Sequence, residues 1–218
     1  YVVGNFEATK KDLARFAPDG GKNIEIHVTE YGPLVYPLRG TMQDRIDDAR
    51  WNRSLAGALY QAMLFQVFLS EPKIGSANHM PLYQAVYGAL VGLEWTPSAP
   101  RIWRNVVYHV FQAYRQMAGR EVLATEVESP TYDSLAAGLV PALRDVPYID
   151  VGAYRAEDGA LSVFLVNRSV KREAEVSFDP GPGRYVVESI RQLAADSYLA
   201  ENSPDEPDAI VFKTIESP

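Results

Sequence analysis

The chain contains no cysteine, which removes disulfides, thiolate metal sites and cysteine nucleophiles. That absence leaves the compartment open, cytoplasmic or secreted. Histidine is scarce: three residues, His27, His79 and His109, are scattered without the spacing of a metal-ligand set. There is no excess of basic charge. The net charge of −7 over 218 residues is spread along the chain, which argues against a nucleic-acid partner, since that would need a basic face to displace counterions. No apolar run approaches the ~20 residues of a membrane span. The longest apolar region, residues 55–69, is interrupted by Gly57, Gln61 and Gln66 and reads as a buried helix. Also missing are a dinucleotide fingerprint, a phosphate loop and a nucleophile elbow. No signal peptide is visible, and the chain opens on Tyr1 rather than methionine, so a preceding segment is expected.

What is present is enough apolar residue, 47% of the chain, to build a substantial core. The first half is punctuated as alternating helices and strands. Thr9 and Asp12 suit a helix start, with Leu13 and Phe16 as its apolar face. The Pro18-Asp19-Gly20-Gly21 turn follows, and residues 24–28 then alternate as a strand. A loop to about Met42 leads into a predicted helix over 44–70, which Pro72 ends. Residues 73–77 form a short predicted strand ending at Asn78-His79-Met80-Pro81, and a further helix is predicted over 101–119, closed by Gly119. This α-β-α-β-α order is the pattern of parallel sheet units.

Beyond Gly119 the texture changes to short strands, predicted at 121–128, 148–154, 161–166, 174–178, 185–190 and 209–214, with Asp158-Gly159 as a hairpin turn. The expected fold is therefore α/β plus all-β. Residues 1–119 would be α/β, and residues 120–218 an antiparallel β-sandwich of jelly-roll type.

Glu30 is the leading candidate for chemistry. Strand alternation puts Ile24, Ile26, Val28 and Glu30 on one face, three apolar residues and then a carboxylate at the C-terminal tip. In a (β/α)8 barrel that end of the strand belongs to the active-site face, where such a carboxylate would be desolvated. The pattern equally suits a strand-end acid bonded to a loop amide or an arginine. Asn78 and His79, at the end of the next strand, could bond sugar hydroxyls, and His79 could instead be a structural hydrogen-bonder. Tyr31, Tyr36 and Trp51 follow in or just after the loop beyond Glu30, where aromatic rings can stack on a sugar, although Trp51 can equally pack within its helix. His27 has the opposite parity to Glu30 and should face surrounding helices, and His109 falls mid-helix. The triplets at Asn52 and Asn167 match the glycosylation pattern too loosely to carry weight.

The order of these motifs resembles glycoside hydrolase family 51, the α-L-arabinofuranosidases, within the clan A retaining glycosidases. Val28-Thr29-Glu30-Tyr31-Gly32 resembles the seventh barrel strand, and the stretch from Ser54 to Tyr83, with Ala77-Asn78, resembles the following helix and eighth strand. The run from Val106 to Tyr114, then Gly119 and Val122-Leu123, is similar to the last barrel helix and exit strand. Pro147-Tyr148-Ile149-Asp150-Val151, the run from Leu161 to Ser169, and Ala200-Glu201-Asn202-Ser203 are similar to the C-terminal domain.

The resemblance implies that residues 1–119 are the last two strands and helices of a (β/α)8 barrel. It implies an exo-acting retaining hydrolase removing arabinofuranosyl groups from plant polysaccharides or oligosaccharides, with Glu30 as nucleophile and no cofactor or metal. The acid/base glutamate of that family stands on the fourth strand, so it and the remainder of the barrel are expected upstream of Tyr1 or on another chain. Family members often form homo-oligomers, which is a further expectation. Pro81 replaces a common substrate-binding glutamine, and Tyr31 a common tryptophan. The competing expectation is a non-catalytic carbohydrate-binding or assembly subunit.

Overall fold

A computed structural model describes residues 2–33, 41, 49–83, 88–137 and 140–215. Tyr36 and residues 44–48 of the predicted long helix lie outside them. The chain divides into two compact units. One comprises Tyr1–Tyr31, Ala62–His79 and Met117–Arg168, and the other Gly32–Gln61, Met80–Gln116 and Ser169–Pro218.

In the first unit, helix α1 (Val2–Phe16) runs into a 3-10 turn at Pro18–Gly21, where Asp19, Gly20 and Gly21 all take positive φ. The Lys73 ammonium gathers the turn by donating to the carbonyls of Gly21, Lys22 and Ile24 at 2.7, 2.8 and 3.2 Å. Strand β1 (Ile26–Tyr31) follows, starting two residues later than the alternation predicts.

The predicted helix over 44–70 proves interrupted. Helix α2 (Arg50–Arg53) stops at Ser54, whose backbone is extended (φ −79°, ψ −178°), and helix α3 (Leu55–Ser70) starts afresh. A Cβ on Gly57 would strike the Asn52 carbonyl, so glycine permits the chain to fold back closely there. Helix α3 carries apolar residues on all sides, as a helix enclosed by protein should. Leu55, Ala58, Ala62 and Leu64 are buried along it, together with Gln61 and Gln66. It leads to strand β2 (Ile74–His79), which lies parallel to β1. Helix α3 is the covalent crossover that a parallel pair requires. Among the described residues no helix is long and apolar enough to cross a membrane.

The same unit holds the antiparallel sheet β5 (Glu121–Leu123), β8 (Ile149–Arg155) and β9 (Leu161–Asn167), in the order β5-β8-β9. The turn predicted at Asp158-Gly159 joins β8 to β9: Gly159 has φ 87°, and the Asp158 carboxylate accepts from the Ala160 amide at 3.0 Å. A second antiparallel pair, β6 (Thr131–Ser134) with β7 (Leu143–Pro147), has no counterpart in the sequence reading. Its strands are polar and irregular in register, and Asp145 sits at positive φ (53°), so period-two alternation does not mark them.

In the second unit, β3 (Val91–Glu94) and β4 (Arg101–Arg104) form an antiparallel hairpin with Gly92 opposite Trp103. A side chain on Gly92 would occupy the space of the Trp103 indole, so the glycine creates the ring's seat. This corrects the predicted helix over 101–119. Residues 101–104 are strand, and helix α4 spans only Val106–Arg115, with Gly119 at φ 74° in the turn beyond it. Val106, Val107, Val110, Ala113 and Tyr114 are its buried face. At its start the Asn105 side chain donates to the Ala89 carbonyl at 2.9 Å.

The last strands are β10 (Ile190–Gln192) and β11 (Lys213–Ile215), paired antiparallel. The strand predicted at 174–178 takes no ladder partner among the described residues, the one predicted at 185–190 pairs only at Ile190, and Phe178, Tyr185, Val186 and Val187 are exposed. Their composition meets the local requirement for a strand, but a ladder also needs a neighbour.

Candidate functional site at the paired strand ends

The parallel pairing brings the C-terminal ends of β1 and β2 together. Ile26 pairs with Ile74, His27 with Ser76, Val28 with Ala77, and Tyr31 with His79. Between the last two pairs β1 carries one residue more than β2, an irregularity falling on Thr29-Glu30. Such an extra residue re-aims the side chains around it. The alternation that predicts a desolvated Glu30 is broken at that step: Glu30 is exposed, and the neighbouring Tyr31 is half-buried.

The Tyr31 ring stacks edge-on against two others. Its centroid lies 4.8 Å from Phe68 of α3 and 5.4 Å from His79 of β2. Phe68 also meets Phe6 of α1 at 6.2 Å. Tyr31 and His79 are thus held by packing, whereas Glu30 and Asn78 are exposed beside them. The structure therefore gathers Glu30, Tyr31, Asn78 and His79 at one pair of strand ends. Trp51 is half-buried on α2, in the other unit. The peptide bond between Met80 and Pro81 is cis.

His27 is exposed, with Nδ1 2.9 Å from the Ser76 hydroxyl and Nε2 3.6 Å from the Glu25 carboxylate. His109 is buried in α4, and burial, reinforced by the Arg104 guanidinium, lowers its pKa below the ordinary imidazole value. It is a neutral core residue. Among the described residues no group of three His, Asp or Glu side chains could hold a metal ion. A hollow of about 140 Å³ in the second unit is lined by Leu82, Tyr83, Val91, Leu93 and Ile102, an apolar set without a charged group to grip a sugar.

Sequence reasoning missed Phe68, the helix residue that seats Tyr31. It also missed the acid Glu201, which accepts from the Nε atoms of both Arg50 and Arg53 at 3.0 and 3.3 Å. The signal for Glu201 was its place in the Ala200-Glu201-Asn202-Ser203 run, but its partners lie on a helix far upstream.

The architecture is that of a mixed helix-strand segment, with a parallel strand pair and its crossover helix, leading into a β-rich C-terminal region. The family model "Alpha-L-arabinofuranosidase C-terminal domain" matches residues 46–217, and the chain belongs to that family. An exo-α-(1→6)-L-arabinofuranosidase of Bifidobacterium longum is 31% identical over 119 residues, 53% of this chain and 21% of that protein. The GH51 arabinofuranosidase from Xanthomonas axonopodis pv. citri superposes with a TM-score of 0.67 at 19% identity, over 99% of this chain and 40% of that one. A family 51 α-L-arabinofuranosidase from Bifidobacterium longum gives a TM-score of 0.62 at 22% identity, over 75% of this chain and 30% of its own. The two structural likenesses are likenesses of fold. The chain spans about a fifth of the curated relative's length.

Proposed function

We propose that this chain is the C-terminal part of an exo-acting retaining α-L-arabinofuranosidase in which Glu30 attacks the anomeric carbon. The observation that carries the reading is the parallel β1-β2 register, with Glu30 at the tip of β1 and Tyr31 paired to His79 at the tip of β2. In this reading residues 1–119 are the last two strands and helices of a (β/α)8 barrel, and residues 120–218 the jelly-roll-like sandwich. Glu30 would form a glycosyl-enzyme intermediate. A second carboxylic acid, contributed from outside this chain and about 5 Å away, would protonate the leaving oxygen and then activate water. Asn78 and His79 would bond sugar hydroxyls, and Tyr31 would contact a ring face. No metal or organic cofactor enters these steps.

The exposure of Glu30 has a simple account here: among the described residues β1 pairs with β2 alone, and further barrel strands would wall in the carboxylate. The test is Glu30→Gln in the complete protein, assayed on an aryl α-L-arabinofuranoside. Turnover should fall by at least ~10³-fold with the thermal transition unchanged, and azide should restore part of the rate by substituting for the missing nucleophile. Normal turnover would remove Glu30 from the mechanism.

The same exposure supports a second reading, a non-catalytic carbohydrate-binding or assembly subunit. It would show glycan binding without hydrolysis of any aryl glycoside by the complete protein.

A further inference from the structure

The β1 and β2 strand ends do not meet through a regular ladder. Ile26 pairs with Ile74 and His27 with Ser76, so Gly75 stands extra on β2. Val28 then pairs with Ala77 and Tyr31 with His79, so Thr29 and Glu30 face the single residue Asn78 and β1 carries the extra one. The two irregularities are of opposite sense and cancel. They bound one block, His27-Val28 against Ser76-Ala77, displaced by a residue from the register on either side of it.

Burial follows the displacement. Ile26, Val28 and Tyr31 of β1 are half-buried, as are Ile74, Ala77 and His79 of β2, and on that side Tyr31 packs on Phe68 of α3. His27, Thr29, Glu30, Gly75 and Asn78 are exposed. In an unbroken ladder Glu30 would pair with Asn78 and share the side of Ile26 and Val28, towards the helix. The displaced block exchanges Glu30 and Asn78 for Tyr31 and His79 on that side. It also sets His27 and Glu30, of opposite parity, on one open side.

Two features favour the displaced pairing. A Cβ at Gly75 would strike the Glu25 carboxylate and the His27 ring, so glycine leaves room for the unpaired residue. His27 Nδ1 and the Ser76 hydroxyl lie 2.9 Å apart, a hydrogen bond across the displaced pair. In an unbroken ladder His27 would stand opposite Gly75, which has no side chain to bond.

We propose that Gly75, His27 and Ser76 are positioning residues for the nucleophile: the displaced block they favour turns Glu30 away from the helix-covered side and towards the side that receives substrate. The role of Glu30 as nucleophile rests on the furanosidase reading above. None of the three touches substrate in this scheme.

The experiment uses the complete protein as wild type, Gly75→Ala, Ser76→Ala, the double variant and Ser76→Thr. On an aryl α-L-arabinofuranoside, kcat should fall about tenfold in Ser76→Ala and further in the double variant, with KM within about twofold, as for a misplaced reacting group. Ser76→Thr keeps the hydroxyl and should restore most of kcat. A second readout needs no activity. Glu30→Cys should be alkylated by iodoacetamide about tenfold more slowly once Ser76→Ala is added, because thiol reactivity follows exposure. Mass spectrometry of the peptide carrying residue 30 reports that rate. Wild-type kcat in the double variant, or an alkylation rate that Ser76→Ala leaves unchanged, overturns the proposal. A wild type that hydrolyses no furanoside overturns the nucleophile reading, and the alkylation rates then still decide whether the block sets the side of residue 30.

Discussion

Arg168 and Asp150 face each other at 2.9 Å, guanidinium to carboxylate, beside the β8-β9 ladder, with only 18% and 27% of their side chains exposed. Arg168 does more than pair. It also donates to the Pro147 carbonyl at 2.7 Å and reaches the Met63 sulfur at 3.0 Å, while its own amide bonds the Tyr148 carbonyl at 2.8 Å. One side chain thus ties the end of β9 to the β7-β8 junction and to α3. Burial raises the Asp150 pKa, and the Arg168 charge only partly offsets it.

Removing the arginine should therefore hurt more than removing the acid. Arg168→Met leaves a half-buried carboxylate without its cation and should cost about 2 kcal/mol at neutral pH, less than a fully buried pair because both side chains keep some exposure. Asp150→Asn should cost clearly less. The pH dependence follows from the raised pKa. The folded carboxyl takes its proton at a higher pH than the unfolded one, so folding is relatively favoured as pH falls through the folded value. The deficit of Arg168→Met should accordingly shrink from pH 7 to pH 5, as read by urea denaturation. A deficit that grows on acidification would contradict the burial of Asp150.

Asn202 is 3% exposed and bonds three backbone groups with one carboxamide. Asn202→Ala should cost about 2 kcal/mol, since the Ile210 amide and two carbonyls lose a buried partner. Asn202→Asp should be at least as damaging, because it turns an acceptor toward those carbonyls. Thermal unfolding of the two variants decides.

Gly57→Ala offers a sign test. In an open helix alanine is better than glycine by about 1 kcal/mol, but here its Cβ would meet the Asn52 carbonyl, which is backbone and cannot turn away. The variant should be destabilised by about 1–3 kcal/mol, the range for overpacking. A stabilised variant would mean that α2 and α3 are not folded against each other at Ser54.

Tyr31 separates packing from chemistry. Tyr31→Phe keeps the edge-on contacts with Phe68 and His79 and should destabilise less than Tyr31→Ala. Tyr31→Ala empties that contact and should cost about 2 kcal/mol, moderated by partial exposure. A raised KM in Tyr31→Phe, at unchanged stability, would assign the hydroxyl to substrate binding.

Two elements show how far local pattern reaches. Residues 161–166 are rich in β-branched and apolar residues and follow a good turn at Asp158-Gly159, and β9 stands where that pattern puts it. Residues 185–189 carry aromatic and β-branched residues too and form no ladder among the described residues. The difference lies in what stands alongside, which no local period encodes. The 101–104 stretch failed in the opposite direction: adjacent helical residues masked a strand whose partner includes a glycine under a tryptophan ring. For the site, the ordered motifs marked Glu30, Tyr31, Asn78 and His79 as strand-end residues, and the register brings those ends together. The irregularity at Thr29-Glu30 was invisible, because counting parity assumes that both strands advance in step.

The amino-acid sequence by itself determined the family, the β8-β9 hairpin and the strand-end position of Glu30. These depend on periodicity, turn residues and motif order, all of which are local. Only the tertiary structure decided that Glu30 is exposed while Tyr31 is packed, that Ser54 divides the long helix, and that Glu201 holds Arg50 and Arg53. Each of those outcomes is set by a contact between residues far apart in the chain, and the energy of such a contact exists only once folding has brought its two halves together.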